Sequence, residues 1–200
     1  MNIRLNIADH LSLSRIYVAP FFLLLEWDWE YNYLFLMVVV CWAMLSDYLD
    51  GYWARKENVV SNLGAFLDFT ADKVFVATVL VMLTIEGWIP AWMTLLILGR
   101  EFFVMGLRIF AAIEGLAVPA HFWGKVKTTF TFMAIMGVLI CGQLAVWNWD
   151  WVPHDVLWGI TYVLLLISTF LTISSGFDYI RKVLEYVTKK RSEAENIDKR

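Results

Sequence analysis

Two hundred residues that are 60% hydrophobic, with a mean hydropathy of +0.62, carry more apolar side chain than a soluble domain of this size can bury. A net charge of -3 gives no reason to expect a nucleic-acid partner, and Cys41 and Cys141 lie inside apolar runs with no disulfide or zinc spacing. What is left is an integral membrane protein, all-α because the apolar runs have the length of helices crossing hydrocarbon.

The opening segment, residues 1–13, mixes Ile3, Leu5, Ile7 and Leu11 with Arg4, Asp9 and His10, so an interfacial helix is expected there. Six transmembrane helices are expected to follow, near 14–27, 32–54, 64–86, 89–114, 125–147 and 156–180. The first begins after polar residues and lacks a small-residue cleavage site, which reads as a retained span and not a signal peptide. Pro20 is expected to kink it, whereas Pro90, Pro119 and Pro153 fall in connections, where a missing N–H is harmless. Residues 1–188 read as one membrane domain and 189–200 as a charged cytoplasmic tail.

Charge tests this division independently of hydropathy. Arg4, Arg15, Arg55, Lys56, Lys73, Arg100, Arg108, Lys125, Lys127 and the tail from Arg181 onward fall on one side. Glu26, Asp28, Glu30, Glu86, Asp150 and Asp155 fall on the other, with Trp27, Trp29, Trp88, Trp92, Trp147, Trp149, Trp151 and Trp158 as an aromatic belt. The positive-inside rule then puts both termini in the cytoplasm of a multi-pass protein of the cell's cytoplasmic membrane.

Four aspartates sit where the second and third spans reach the cytoplasmic side, and a carboxylate in hydrocarbon is costly without a partner. Asp47 and Asp50 are three apart and Asp68 and Asp72 four apart, so each pair projects from one face of its helix. A short turn near residues 58–62 places the pairs opposite each other. Hard divalent cations, Mg²⁺ or Mn²⁺, answer the repulsion of four converging carboxylates. Gly51, Ala54 and Gly64 fall on the same faces and make room beside the metal for an extended ligand, or merely let the helices pack closely.

In order, these residues spell Asp47-x2-Asp50-Gly51-x2-Ala54-Arg55, eight residues, then Gly64-x3-Asp68-x3-Asp72. The pattern resembles, at every fixed position, the signature of the CDP-alcohol phosphatidyltransferase family. That resemblance implies six spans, a homodimer and a cytoplasm-facing cavity. It implies that the four aspartates hold one or two metals gripping a CDP diphosphate, and that Gly51, Ala54 and Arg55 lie against the CDP portion, with Asp50, Gly64 and Asp68 beside it. It also implies that Asp72 is the general base.

The acceptor is read from the other cytoplasmic-side cations. Arg100 and Arg108 are eight apart and share one helix face, and Lys125 and Lys127 open the fifth span. Such cations suit a phosphate monoester; alternatively they snorkel to the interface, and Arg100 could pair with the adjacent Glu101. Gly64-Ala-Phe-Leu-Asp68, Ala71-Asp72-Lys73, Arg100-Glu101-x2-Val104-x2-Leu107-Arg108 and Gly124-Lys125-Val126-Lys127-Thr128 resemble the branch of the family that joins CDP-diacylglycerol to glycerol 3-phosphate. Leu11-Ser-Leu-Ser-Arg15-x4-Pro20 is similar to it too. Two positions depart from that branch: Phe69 stands where a proline is usual and Thr131 where a glutamine is usual. Within the family, inositol phosphate, phosphatidylglycerol and serine are the rival acceptors. An ion carrier is the non-enzymatic rival, but it calls for acids spread through the membrane depth, and these crowd one end.

Overall fold

The computed structural model describes residues 14, 15, 17, 30–57, 62–115, 122–149, 151 and 153–198, without side-chain placement at 47–57, 62–69, 122–125, 191 and 193–198. The regular elements among them are five helices: α1 (Asn32–Glu57), α2 (Asn62–Ile85), α3 (Ala91–Ile113), α4 (Phe122–Val146) and α5 (His154–Asp198). They fall on the second to sixth expected segments. The interfacial segment, most of the first expected span, Pro20 and Pro119 lie outside the described residues. Among the described residues two stretches, Val126–Val146 and His154–Lys190, are long and apolar enough to cross a membrane. Large apolar side chains stand exposed on the helices, among them Leu95, Phe170 and Phe177, an arrangement suited to lipid.

Helix ends follow from local chemistry. After α2, Gly87 takes a left-handed φ of 80°, and its N–H reaches Thr84 O while the Trp88 N–H reaches Leu83 O. These two bonds satisfy carbonyls the helix would otherwise orphan, and Pro90 then precedes α3. Asn148 does the same after α4, at φ 49°, with its N–H on Ala145 O and the Trp149 N–H on Leu144 O. The last helix overruns the expected end of its span at residue 180 and continues to Asp198. Beyond the apolar stretch its sequence stays rich in Lys, Glu and Arg, which are strong helix formers, and Arg181 pairs with Glu185 one turn on at 2.9 Å.

The chain divides into two compact units, Met1–Pro90 with Met136–Trp158, and Ala91–Ile135 with Gly159–Arg200. In the first, Tyr33, Leu36, Val40 and Ala43 form a buried stripe on α1, and Ala71, Phe75, Val79 and Leu83 one on α2. Trp88 Nε1 donates to Tyr33 Oη at 2.7 Å, so the connection after α2 meets the start of α1. The other ends of α1 and α2 are separated by only four residues, and the two helices therefore run antiparallel. Buried Gln143 of α4 fastens the same region: its Oε1 accepts from the Leu34 N–H, an orphan donor of the α1 first turn, and its Nε2 donates to Glu30 O. Aromatic rings gather here, with Trp88 on Trp158, Tyr31 on Trp147, and Trp147 on Trp149 at centroid separations of 5.3–6.1 Å.

The ring of Tyr33 lies on Gly142, where an added Cβ would stand 2.9 Å from Tyr33 Cε1. Gly142→Ala is expected to push the ring off its bond with Trp88 and to lower stability by about 1–3 kcal/mol. Thermal unfolding in detergent micelles measures this, and an unchanged midpoint would contradict it.

In the second unit, Val104, Tyr179 and Val183 form a buried apolar cluster between α3 and α5, with Leu107 and Val187 packed against it. The buried face of α5 is otherwise unusually polar: Thr161, Ser168, Thr172 and Ser175 recur on it at helical spacing. At the far end, Lys190 of α5 pairs with Glu114 Oε2 at 3.1 Å.

Candidate functional site

The acidic group belongs to the first unit. Asp47 and Asp50 lie on α1, and Asp68 and Asp72 on α2. Asp50 stands seven residues before the end of α1 and Asp68 six after the start of α2, so on antiparallel helices the two lie at similar depth, about 10 Å from the facing helix ends. That depth is well removed from the aromatic end, because Asp50 is about 25 Å along α1 from Tyr33. The side chains of Asp47, Asp50, Asp68, Arg55 and Lys125, and the surroundings of Gly51, Ala54 and Gly64, lie outside the described residues.

Asp72 is the aspartate of the four whose side chain is described. It is about half exposed, and Lys73 Nζ stands 3.9 Å from its Oδ2, too long for a hydrogen bond. A pair so exposed contributes at most about 1 kcal/mol. Among the described residues no group of three or more His, Cys, Asp or Glu side chains comes together.

The basic group belongs to the second unit. Glu101 gathers two of its members: Lys127 Nζ of α4 and Arg100 Nη1 both donate to Glu101 Oε1, the latter at 3.2 Å. Side-chain exposures are 9% for Lys127 and 14% for each of the other two, which matters because removing the shared carboxylate would leave two buried cations uncompensated. The triad therefore holds a net charge of +1 with little water around it. The pairing of Arg100 with Glu101, which the sequence offered as the alternative to phosphate binding, is present, and Lys127 joins it. Arg100 Nη2 also donates to Ser175 Oγ of α5 at 3.0 Å.

Arg108 lies two turns beyond Arg100 on α3 and is exposed, with its guanidinium carbon 5.9 Å from the centre of the Tyr179 ring on α5. Arg100 and Arg108 thus share the face of α3 that meets α5, as their spacing predicts. Thr131, at one of the two departing positions, places its hydroxyl 2.6 Å from Ser168 Oγ and donates to Lys127 O, which holds the α4 backbone of that lysine against α5. Ser175 and Tyr179 were not singled out by sequence reading. The signal available for Ser175 was the run of small polar residues at helical spacing inside an otherwise apolar helix.

A semi-buried guanidinium with a neighbouring lysine, and an exposed arginine on the same helix face, have the charge and donors that suit a phosphate dianion. Asp47, Asp50, Asp68 and Asp72 lie within about 15 Å of the facing ends of two antiparallel helices, and carboxylates are the ligand type that suits a hard divalent cation. Comparison with known proteins agrees with this chemistry. The family model for CDP-alcohol phosphatidyltransferase matches residues 5–174. A Bacillus subtilis protein named CDP-diacylglycerol–glycerol-3-phosphate 3-phosphatidyltransferase is 31% identical over 191 residues, covering 88% of this chain and 94% of its own. Proteins of the same name from Rickettsia felis and Rickettsia prowazekii are 34% and 35% identical over 189 residues, each covering 93% of this chain and 99% of their own.

Proposed function

Because the chain belongs to the CDP-alcohol phosphatidyltransferase family, we propose that it transfers the phosphatidyl group of CDP-diacylglycerol to glycerol 3-phosphate, releasing CMP and forming phosphatidylglycerol phosphate. The observation that carries the acceptor is the gathering of Arg100 and Lys127 on Glu101, with Arg108 on the same face of α3. Relatives named for this reaction support it along nearly the whole chain.

In this reading Asp47, Asp50, Asp68 and Asp72 hold Mg²⁺ or Mn²⁺, whose preference for carboxylate oxygen matches the donor set. When bound, such an ion neutralises the diphosphate and stabilises CMP as a leaving group. Asp50, Gly51, Ala54, Arg55, Gly64 and Asp68 seat the CDP portion. Arg100, Arg108 and Lys127, with Lys125, hold the acceptor phosphate by charge-assisted hydrogen bonds. Asp72 takes the proton of the acceptor's primary hydroxyl as its oxygen bonds to the phosphatidyl phosphorus. The bond from that phosphorus to the oxygen of CMP breaks, and no covalent enzyme intermediate is needed.

The charge distribution supports six spans in the cytoplasmic membrane, with both termini and the aspartates facing the cytoplasm, and family resemblance supports a homodimer. Protection of a C-terminal tag from added protease in sealed right-side-out vesicles tests the orientation, and cross-linking in native membranes tests the dimer.

Product analysis tests the reaction. Purified protein in mixed micelles with CDP-diacylglycerol and Mg²⁺ is offered glycerol 3-phosphate, inositol phosphate, serine or phosphatidylglycerol. Phosphatidylglycerol phosphate and CMP are expected with the first alone. A lipid product from another acceptor instead would move the acceptor assignment, and release of pyrophosphate would overturn the reaction class.

A further inference from the structure

Arg100 is held in a way that stability alone does not explain. Its side chain is 14% exposed, and although Nη1 and Nη2 reach Glu101 and Ser175, the buried Nε has no hydrogen-bond partner among the described residues. Leaving a buried donor of a cation unpaired is unfavourable, and an aliphatic side chain on the same face would avoid it. The neighbouring contacts nevertheless fix this side chain closely.

Gly176 of α5 supplies the space. A Cβ on it would stand 2.9 Å from Arg100 Cγ and 3.2 Å from Nε, so even alanine would displace the stem near its root and not merely its tip. Ser175, the preceding residue, supplies the direction. Its hydroxyl donates to Thr172 O at 3.0 Å, which turns the oxygen lone pairs toward Arg100 Nη2. Glu101 cannot do this alone, because adjacent residues on a helix point to different faces.

We infer that Ser175 and Gly176 are positioning residues for acceptor binding: a seat on α5 that fixes the depth and tilt of the Arg100 guanidinium. This rests on the reading that Arg100 binds the acceptor phosphate. A seat that loses its shape should weaken acceptor binding and leave the CDP lipid untouched. A glycine that only lets two helices approach would instead affect stability, or both substrates together.

The test compares Gly176→Ala, Ser175→Ala, Arg100→Ala and the two double variants with Arg100→Ala. KM is measured for glycerol 3-phosphate and for CDP-diacylglycerol on protein purified in mixed micelles. Arg100→Ala and Gly176→Ala are each expected to raise the acceptor KM about tenfold or more, and Ser175→Ala several-fold, with the CDP-diacylglycerol KM unchanged. In the Arg100→Ala background neither second change should raise the acceptor KM further. If Arg100→Ala leaves the acceptor KM unchanged, the acceptor reading of Arg100 fails. If Arg100→Ala raises it but the α5 variants do not, or act in full without Arg100, the seat is overturned while that reading stands. Equal rises for both substrates also overturn the seat. Should Gly176→Ala not fold, Ser175→Ala, which adds no atoms, decides the matter.

Discussion

Asp72→Asn is expected to reduce CMP release by about 10²–10⁴-fold at saturating substrates, the usual contribution of a positioned general base. The substitution keeps the shape of the side chain and removes its ability to take a proton. Because the carboxylate is about half exposed and asparagine keeps its shape, folding should change little, and the thermal midpoint serves as the control. The loss should appear in kcat. A variant that keeps CMP release within a few-fold of the parent would remove Asp72 from the base role and shift attention to Asp68.

Arg108→Glu is expected to raise the KM for glycerol 3-phosphate by about ten- to a hundred-fold, the loss of one charge-assisted contact of about 1.5–3 kcal/mol. The KM for CDP-diacylglycerol should stay where it is. Arg108 is exposed and stacks on the edge of a packed cluster through Tyr179, so reversing its charge tests binding with little disturbance of the core. Equal rises in both constants would refute its assignment to the acceptor.

Much of this molecule can be read from its residues because the membrane restricts what the chain can do. Long apolar runs must be helices, which places α1 to α5, and an aspartate signature with fixed gaps marks one end of α1 and α2. Gly87 and Asn148 mark two helix ends by the left-handed backbone they tolerate. The pairing of Arg100 with Glu101 was legible because the two are adjacent. Lys127 on the same carboxylate was not, since it comes from α4 and only packing brings it there. Ser175 and Gly176 are common residues of helix contacts, and their relation to Arg100 depends on the rotation of α5 about its axis, which no local pattern encodes. The helix α5 runs on past residue 180 into the charged tail because hydropathy falls there but helix propensity does not.

The length of α5 has a practical consequence. Forty-five helical residues make a rod of about 68 Å, more than twice the roughly 30 Å of hydrocarbon in a bilayer. At the tilts of about 20° usual for membrane helices its charged end would project beyond the lipid headgroups, and Lys190 pairs that portion with the end of α3. A fluorescent reporter or affinity handle joined after Arg200 would therefore ride at a distance from the bilayer surface, where it can be captured without crowding the entry of a lipid substrate.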